Sequence, residues 1–192
     1  MRTWKSDAGA ELAEFALVMP LLMMLLIGMY WFGRVFNIAE TLTRAANQGA
    51  AYAARPECAT CSQFDGCAEL PGFPCSTQVA ELGTFPLLKA AQIDPGQLHP
   101  IPQPQLKGCS PGAGLNSTPC PQSQAGGNAA CSSYNSGRVW VCRCVEMSKG
   151  NQPSECGVTV SMEYPWSFRF PFTGLDRVPI WIGVMGQARQ EF

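Results

Sequence analysis

Ten cysteines are the residues of this chain best suited to chemistry: Cys58, Cys61, Cys67, Cys75, Cys109, Cys120, Cys131, Cys142, Cys144 and Cys156. An even number of cysteines in a loop-rich stretch reads as a disulfide framework built in an oxidising compartment, and all ten are disulfide candidates. Zinc is the competing reading. Cys58-x-x-Cys61 has a ligand-like spacing, but no second Cys-x-x-Cys exists and His99 is the single histidine. A thioredoxin-like site needs its cysteine pair where a strand enters a helix, whereas Pro56 and Glu57 precede this one in a loop-like context. Structural disulfides are therefore the leading expectation. No metal and no cofactor are expected, and the pairing itself is not legible from spacing.

The rest of the chain carries little else that could react. There is no phosphate loop, no Gly-x-Gly-x-x-Gly, no Gly-x-Ser-x-Gly and no His-Glu-x-x-His. His99 sits in the proline-flanked Gln97-Leu98-His99-Pro100-Ile101 and reads as an exposed loop residue. Asp65, Glu69, Glu81, Asp94 and Asp176 are scattered without paired spacing. The sequon Asn116-Ser117-Thr118 is followed at once by Pro119. A net charge of −1 with 14% charged residues offers no field for nucleic acid. The expectation is a chain with no catalytic residue, no small-molecule substrate and no nucleic-acid partner, and so not an enzyme.

One carboxylate does stand at a chemically telling place. Glu14 immediately precedes the uncharged run Phe15 to Gly33, 19 residues long. At about 1.5 Å per residue that run approaches the ~30 Å of bilayer hydrocarbon. Tyr30 and Trp31 lie near its end, where amphipathic aromatics favour the interface, and Arg34 closes it. A secretory signal fits poorly, because the small-residue motif Ala51-Tyr52-Ala53 lies far beyond the apolar run.

The helix should continue past the membrane. Val35, Ile38, Ala39, Leu42, Ala45, Ala46, Gly49 and Ala53 recur at helical spacing. Glu40 and Arg44 are placed for an i,i+4 ion pair, and Pro56 marks the stop. Pro20 is a candidate kink. The small residues of the distal half invite close approach by a sheet or a second backbone.

The segment Gly9-Ala10-Glu11-Leu12-Ala13-Glu14-Phe15 resembles the processing site of type IV pilins and pseudopilins. More closely it is similar to the TadE family of tight-adherence (Flp pilus) minor pilins. Further matches are Ala16 to Leu22 around Pro20, Phe32-Gly33-Arg34, and Leu42 to Ala50; Ala188-Arg189-Gln190-Glu191 looks like the ending of that family's last strand. The resemblance covers residues 1–54 well and 158–192 loosely; the cysteines and the proline-rich 95–121 depart from it. It implies prepilin-peptidase cleavage between Gly9 and Ala10. Glu14 would then be the fifth mature residue, able to pair with the freed amine of a neighbouring subunit in a low-dielectric filament. The plainer alternative is a carboxylate at the headgroup boundary, favoured by the helix dipole.

The expected fold class is α+β: a long N-terminal transmembrane and amphipathic helix with a small antiparallel sheet and disulfide-stapled loops, pilin-like. The expected divisions are a cytoplasmic leader 1–9, a helix 10–54 spanning the membrane at about 15–33, and an exported cysteine-rich domain 55–192. Ser76-Thr77 should cap a short helix reaching Leu82, and Thr84-Phe85-Pro86 should start another running to about Gln92. From Pro95 to Pro121, seven prolines predict irregular chain stapled by Cys109, Cys120 and Cys131. Strands are expected over 138–147, with Cys142 and Cys144 on one face, over 157–164, and over 180–190. The aromatic segment around Pro165 and Pro171 reads as an edge or a connection.

Arg2 and Lys5 agree with a cytoplasmic N-terminus, and the disulfides require the domain on the exported side. The expected setting is a bacterial inner membrane with the domain periplasmic or extracellular. Its partners would be membrane lipid, a prepilin peptidase, and other pilin-like subunits or a membrane complex. Two functions fit. One is a minor pilin or pseudopilin acting in assembly of a tight-adherence pilus or secretion filament. The other is a single-span structural accessory subunit of a membrane complex. The N-terminus of the mature protein separates them.

Overall fold

The computed structural model describes residues 7–55, 73–109, 129–147, 156–167 and 179–189. The chain divides into two compact units, Met1–Asn37 and Ile38–Phe192. The helix α1 (Asp7–Ala54) supplies the first unit and the first element of the second. It is built largely from Ala, Leu, Met and other good helix formers, and it continues as α-helix through Pro20.

After α1, the second unit runs through a helical stretch into a sheet. The stretch comprises α2 (Ser76–Gln78), a π-helical segment Val79–Thr84 and α3 (Phe85–Ala90). The expected cap at Ser76-Thr77 is corrected: Cys75 is the N-cap, and its backbone N–H donates to the Gln78 side chain at 3.2 Å. The expected break between Leu82 and Thr84 is absent, because the wider π turn carries the chain across it. Thr84 closes that turn with its hydroxyl donating to the Val79 carbonyl at 3.1 Å.

Four antiparallel strands follow in the order β1-β2-β3-β4: β1 (Ala130–Tyr134), β2 (Val139–Glu146), β3 (Cys156–Ser167) and β4 (Pro179–Arg189). The architecture is the α+β arrangement of a helix laid on a small antiparallel sheet. Val139 and Val141 of β2 and Val158, Val160 and Met162 of β3 pack on Leu42, Ala45, Ala46, Ala50 and Ala53 of α1. All ten of these side chains are completely buried. Alanines on the helix let the sheet come close, and glycines bring it closer still. A Cβ on Gly186 of β4 would lie 2.2 Å from the Ala46 carbonyl carbon, so this strand rests directly on the helix backbone. Gly49 and Gly83 meet where α1 crosses the π segment: a Cβ on Gly83 would lie 3.1 Å from Gly49 Cα.

The opposite face of the sheet is covered as well, which is why β2 and most of β3 are buried on both sides. A strap, residues 98–109, crosses it. The His99 N–H donates to the Glu163 carbonyl at 3.0 Å, Ile101 N–H to Gly137 at 3.1 Å, and Cys109 N–H to Cys144 at 2.8 Å. Trp140 Nε1 donates to the Ile101 carbonyl at 3.0 Å, and Lys107 pairs with Glu146 at 2.5 Å. Leu106 then packs over Cys142, Val145 and Ala129. The expected irregular chain is thus seen over 95–109, with one 3₁₀ turn at Pro95–Gln97; residues 110–121 lie outside the described residues.

Two expectations about the strands need correction. The ladder shifts register between Cys142 and Val145, and Cys144 has φ of 55°. Strict alternation through Cys142 and Cys144 therefore fails at a β-bulge. β3 runs on past the expected end at Tyr164, and of the two readings of the segment around Pro165 the edge holds: Pro165 belongs to β3 and lies opposite Trp181. Glu163 turns its carbonyl towards His99, so Pro165, two residues on, turns its nitrogen to the same side. Pairing with β2 has already ended there, at Met162, and no ladder bond is forfeited. Phe168, Phe170 and Phe172 lie outside the described residues.

Candidate functional site

The residues singled out for processing and assembly lie on the first turns of α1. Gly9 and Ala10 are within the helix, which begins at Asp7. Glu14 is exposed and seven residues beyond that start. Two turns in, it is past the first turn, where the helix dipole acts most strongly. Among the described residues it has no ion-pair partner.

From Leu12 to Leu26 every residue of α1 is exposed, so this part of the helix has no buried face. Leu17 is 71% exposed, Met24 72% and Phe36 71%. A helix folded for water hides an apolar stripe; this one shows apolar side chains all round. Each such side chain gains about 1.5–3 kcal/mol on leaving water, so the run as a whole stands to gain roughly tens of kcal/mol in hydrocarbon. The helix is long and apolar enough to cross a membrane, and the chain is a membrane-anchored protein. Tyr30 and Trp31 meet edge-to-face with centroids 5.7 Å apart.

From Ile38 onwards α1 changes solvent. Leu42, Ala45, Ala46, Gly49, Ala50, Ala53 and Ala54 are buried, while Glu40, Thr43, Arg44, Asn47 and Gln48 are exposed. Arg44 pairs with Glu40 at 2.5 Å on that exposed face, a pair worth at most about 0.5 kcal/mol.

The six cysteines among the described residues are all disulfide-bonded. Cys109 bonds Cys156, tying the end of the strap to the start of β3. Cys131 bonds Cys142 directly across the β1–β2 ladder. Cys75 and Cys144 are bonded too. Cys58, Cys61, Cys67 and Cys120 lie outside the described residues. Among the described residues no cluster of His, Cys, Asp and Glu is suited to a metal ion. His99 is exposed, as its loop context suggests, but it has a place in the fold: it bridges to Glu163 and its ring meets Trp181 at 4.4 Å.

Two features escape the reading of the sequence. Arg143 is 2% exposed, and its guanidinium donates to the Pro74 carbonyl. Its position in an otherwise apolar strand was the available signal, since a charge there must be partnered. The other is Gly186, whose isolated glycine inside a strand pattern marks close backbone approach.

No curated protein and no solved structure matches the chain. A family model described as TadE-like protein matches residues 9–51. The match covers less than half of the chain, ending within α1 and leaving the disulfide-bonded sheet outside it. Through this N-terminal helix, with its exposed apolar half and its small-residue half, the membrane-anchored chain is similar to TadE-like proteins over residues 9–51.

Proposed function

We propose that this protein is a minor pilin or pseudopilin that takes part in assembling a tight-adherence pilus or secretion filament. The observation that carries the reading is the TadE-like match over 9–51, lying on a helix with no buried face from Leu12 to Leu26. In this reading residues 1–9 are a cytoplasmic leader, the helix crosses a bacterial inner membrane at about 15–33, and 55–192 form the exported domain. Disulfides support that orientation, because they persist on the oxidising side.

A prepilin peptidase removes the leader between Gly9 and Ala10. Cleavage changes the electrostatics of Glu14. The new α-amine lies four residues away, about one helical turn, and the positive helix end now falls beside the carboxylate. Once the cleaved helix packs among pilin-like subunits, Glu14 pairs with a neighbour's amine and neither charge is left bare in hydrocarbon. The role is structural: the domain presents disulfides and a packed sheet, and its partners are lipid, the peptidase and other pilin-like subunits.

N-terminal sequencing of the mature protein from membranes tests the reading. A sequence beginning at Ala10 is expected. An intact Met1 would overturn it and favour a permanently anchored accessory subunit of a membrane complex.

A further inference from the structure

We infer that the end of the folded unit nearest Ile38, where β4 begins with Ile180 and Trp181, rests on the lipid headgroup layer. The inference rests on the membrane-anchored reading of α1. It adds a second, peripheral contact made by the sheet.

The argument begins with how β4 lies along α1. Gly186 sits on the Ala46 backbone, and the Gln187 N–H donates to Asn47 Oδ1 at 3.3 Å. Further on, Ala188 and Arg189 share a small cavity with Ala51, Ala54 and Arg55. Strand and helix numbers therefore rise together, and the two elements run side by side in one direction.

Followed backwards, the strand outruns the helix. From Gly186 to Pro179 β4 covers about 23 Å at 3.3 Å per residue. From Ala46 to Ile38 the helix covers about 12 Å at 1.5 Å per residue. The first residues of β4 thus reach at least as far as Ile38, the first residue of the unit.

That end carries side chains the fold does not cover. Ile180 is 47% exposed and Trp181 44%. In the described part of the folded unit the only other large apolar side chains so exposed are Leu82 and Met185. The Trp181 ring lies against the His99 ring, with centroids 4.4 Å apart.

Chain length brings this end to the membrane whatever the geometry of the linking residues. The uncharged run ends at Gly33 and Arg34 follows. Ile38 is four residues past Arg34, and four residues reach at most about 14 Å even when fully extended. Indole combines an apolar ring with an N–H donor and partitions to the zone between hydrocarbon and water. An exposed isoleucine beside it gains by the same move. A lipid surface is the occupant that continuity with the span supplies.

The test uses the full chain reconstituted in phosphatidylcholine vesicles containing lipid brominated near the headgroup, with tryptophan quenching as the readout. The Trp31→Phe chain is compared with the Trp31→Phe/Trp181→Phe chain, and far-UV circular dichroism verifies that both are folded. The expected result is headgroup quenching in the first that falls by at least about one-quarter in the second, Trp181 being one of the four tryptophans left once Trp31 is replaced. Equal quenching in the two chains overturns the inference, as it would if a protein partner rather than lipid covered Trp181. The Trp181→Phe chain separates the two readings. There Trp31 reports the span: if it is quenched while Trp181 makes no difference, the anchor stands and the peripheral contact falls. If Trp31 is not quenched, both fall.

Discussion

Gly186 and Gly183 occupy the same strand three residues apart, and the structure assigns them opposite responses to one added methyl group. A Cβ on Gly186 would lie 2.2 Å from the Ala46 carbonyl carbon, 2.4 Å from its oxygen and 2.4 Å from Asn47 N. Ordinary contact between non-bonded heavy atoms needs about 3.5 Å, so more than about 1 Å of separation has to open between β4 and α1. All three obstructing atoms are backbone, and no rotamer change relieves them. Overpacking of this kind costs about 1–3 kcal/mol. The bond from Gln187 N–H to Asn47 Oδ1, one residue away, lengthens with the same movement at a further cost of about 1 kcal/mol. Alanine recovers about 0.5–1 kcal/mol through lower chain entropy in the unfolded state. The net for Gly186→Ala is a destabilisation of about 2 kcal/mol, or roughly 4–8 °C in Tm for a chain of this size. A Cβ on Gly183 meets nothing within 4 Å, so Gly183→Ala is neutral or slightly stabilising. Thermal unfolding of the two full-length variants in the same detergent, followed by circular dichroism, measures the difference. Equal melting temperatures would refute direct contact between β4 and the helix backbone.

Three further outcomes follow from the same structure. Leu22→Arg places a charge in the exposed apolar run; insertion is disfavoured by about 3 kcal/mol, and carbonate extraction should release a measurably larger fraction of the chain. Replacing Cys109 and Cys156 by alanine opens a link between residues 47 apart, and replacing Cys131 and Cys142 opens one between residues 11 apart. On loop entropy the first loss is larger by about 1 kcal/mol, and denaturant midpoints of the two double variants should rank in that order. Glu14→Gln removes the carboxylate proposed to meet a neighbour's amine. It should leave membrane insertion intact while lowering recovery in purified filaments by about tenfold or more, and unchanged recovery would count against the pairing.

The distal half of α1 was legible because its burial is periodic. Leu42, Ala45, Ala46, Gly49 and Ala53 fall on one face by spacing alone, and the structure buries them all. Strand β4 was equally plain, expected over 180–190 and found at Pro179–Arg189. What local pattern could not reveal depends on partners distant in sequence. Pro165 joins β3 only because β2 stops pairing at Met162. The bulge at Cys144 goes with a backbone bond to Cys109, 35 positions earlier in the chain. The strap over 98–109 reads as loop because its hydrogen bonds reach Gly137, Glu163 and Cys144 rather than near neighbours. For the proposed site, Glu14 and Gly9 rest on resemblance alone, because a carboxylate and a glycine at a helix start are individually commonplace.

The alanine stripe of α1 has a consequence for biogenesis. One layer of the core of the folded unit is made by residues 42–53, which are synthesised before every strand that packs on them. A secreted chain truncated to start at Arg55 would leave Val139, Val141, Val158, Val160 and Met162 facing water. The domain is thus not cargo tied to a removable tether. It completes its core only when the root of the helix emerges on the same side as the sheet, so maturation of the fold and correct insertion become a single checkpoint. Any later pull on the helix, as in extraction from the bilayer, is borne by the hydrophobic core itself.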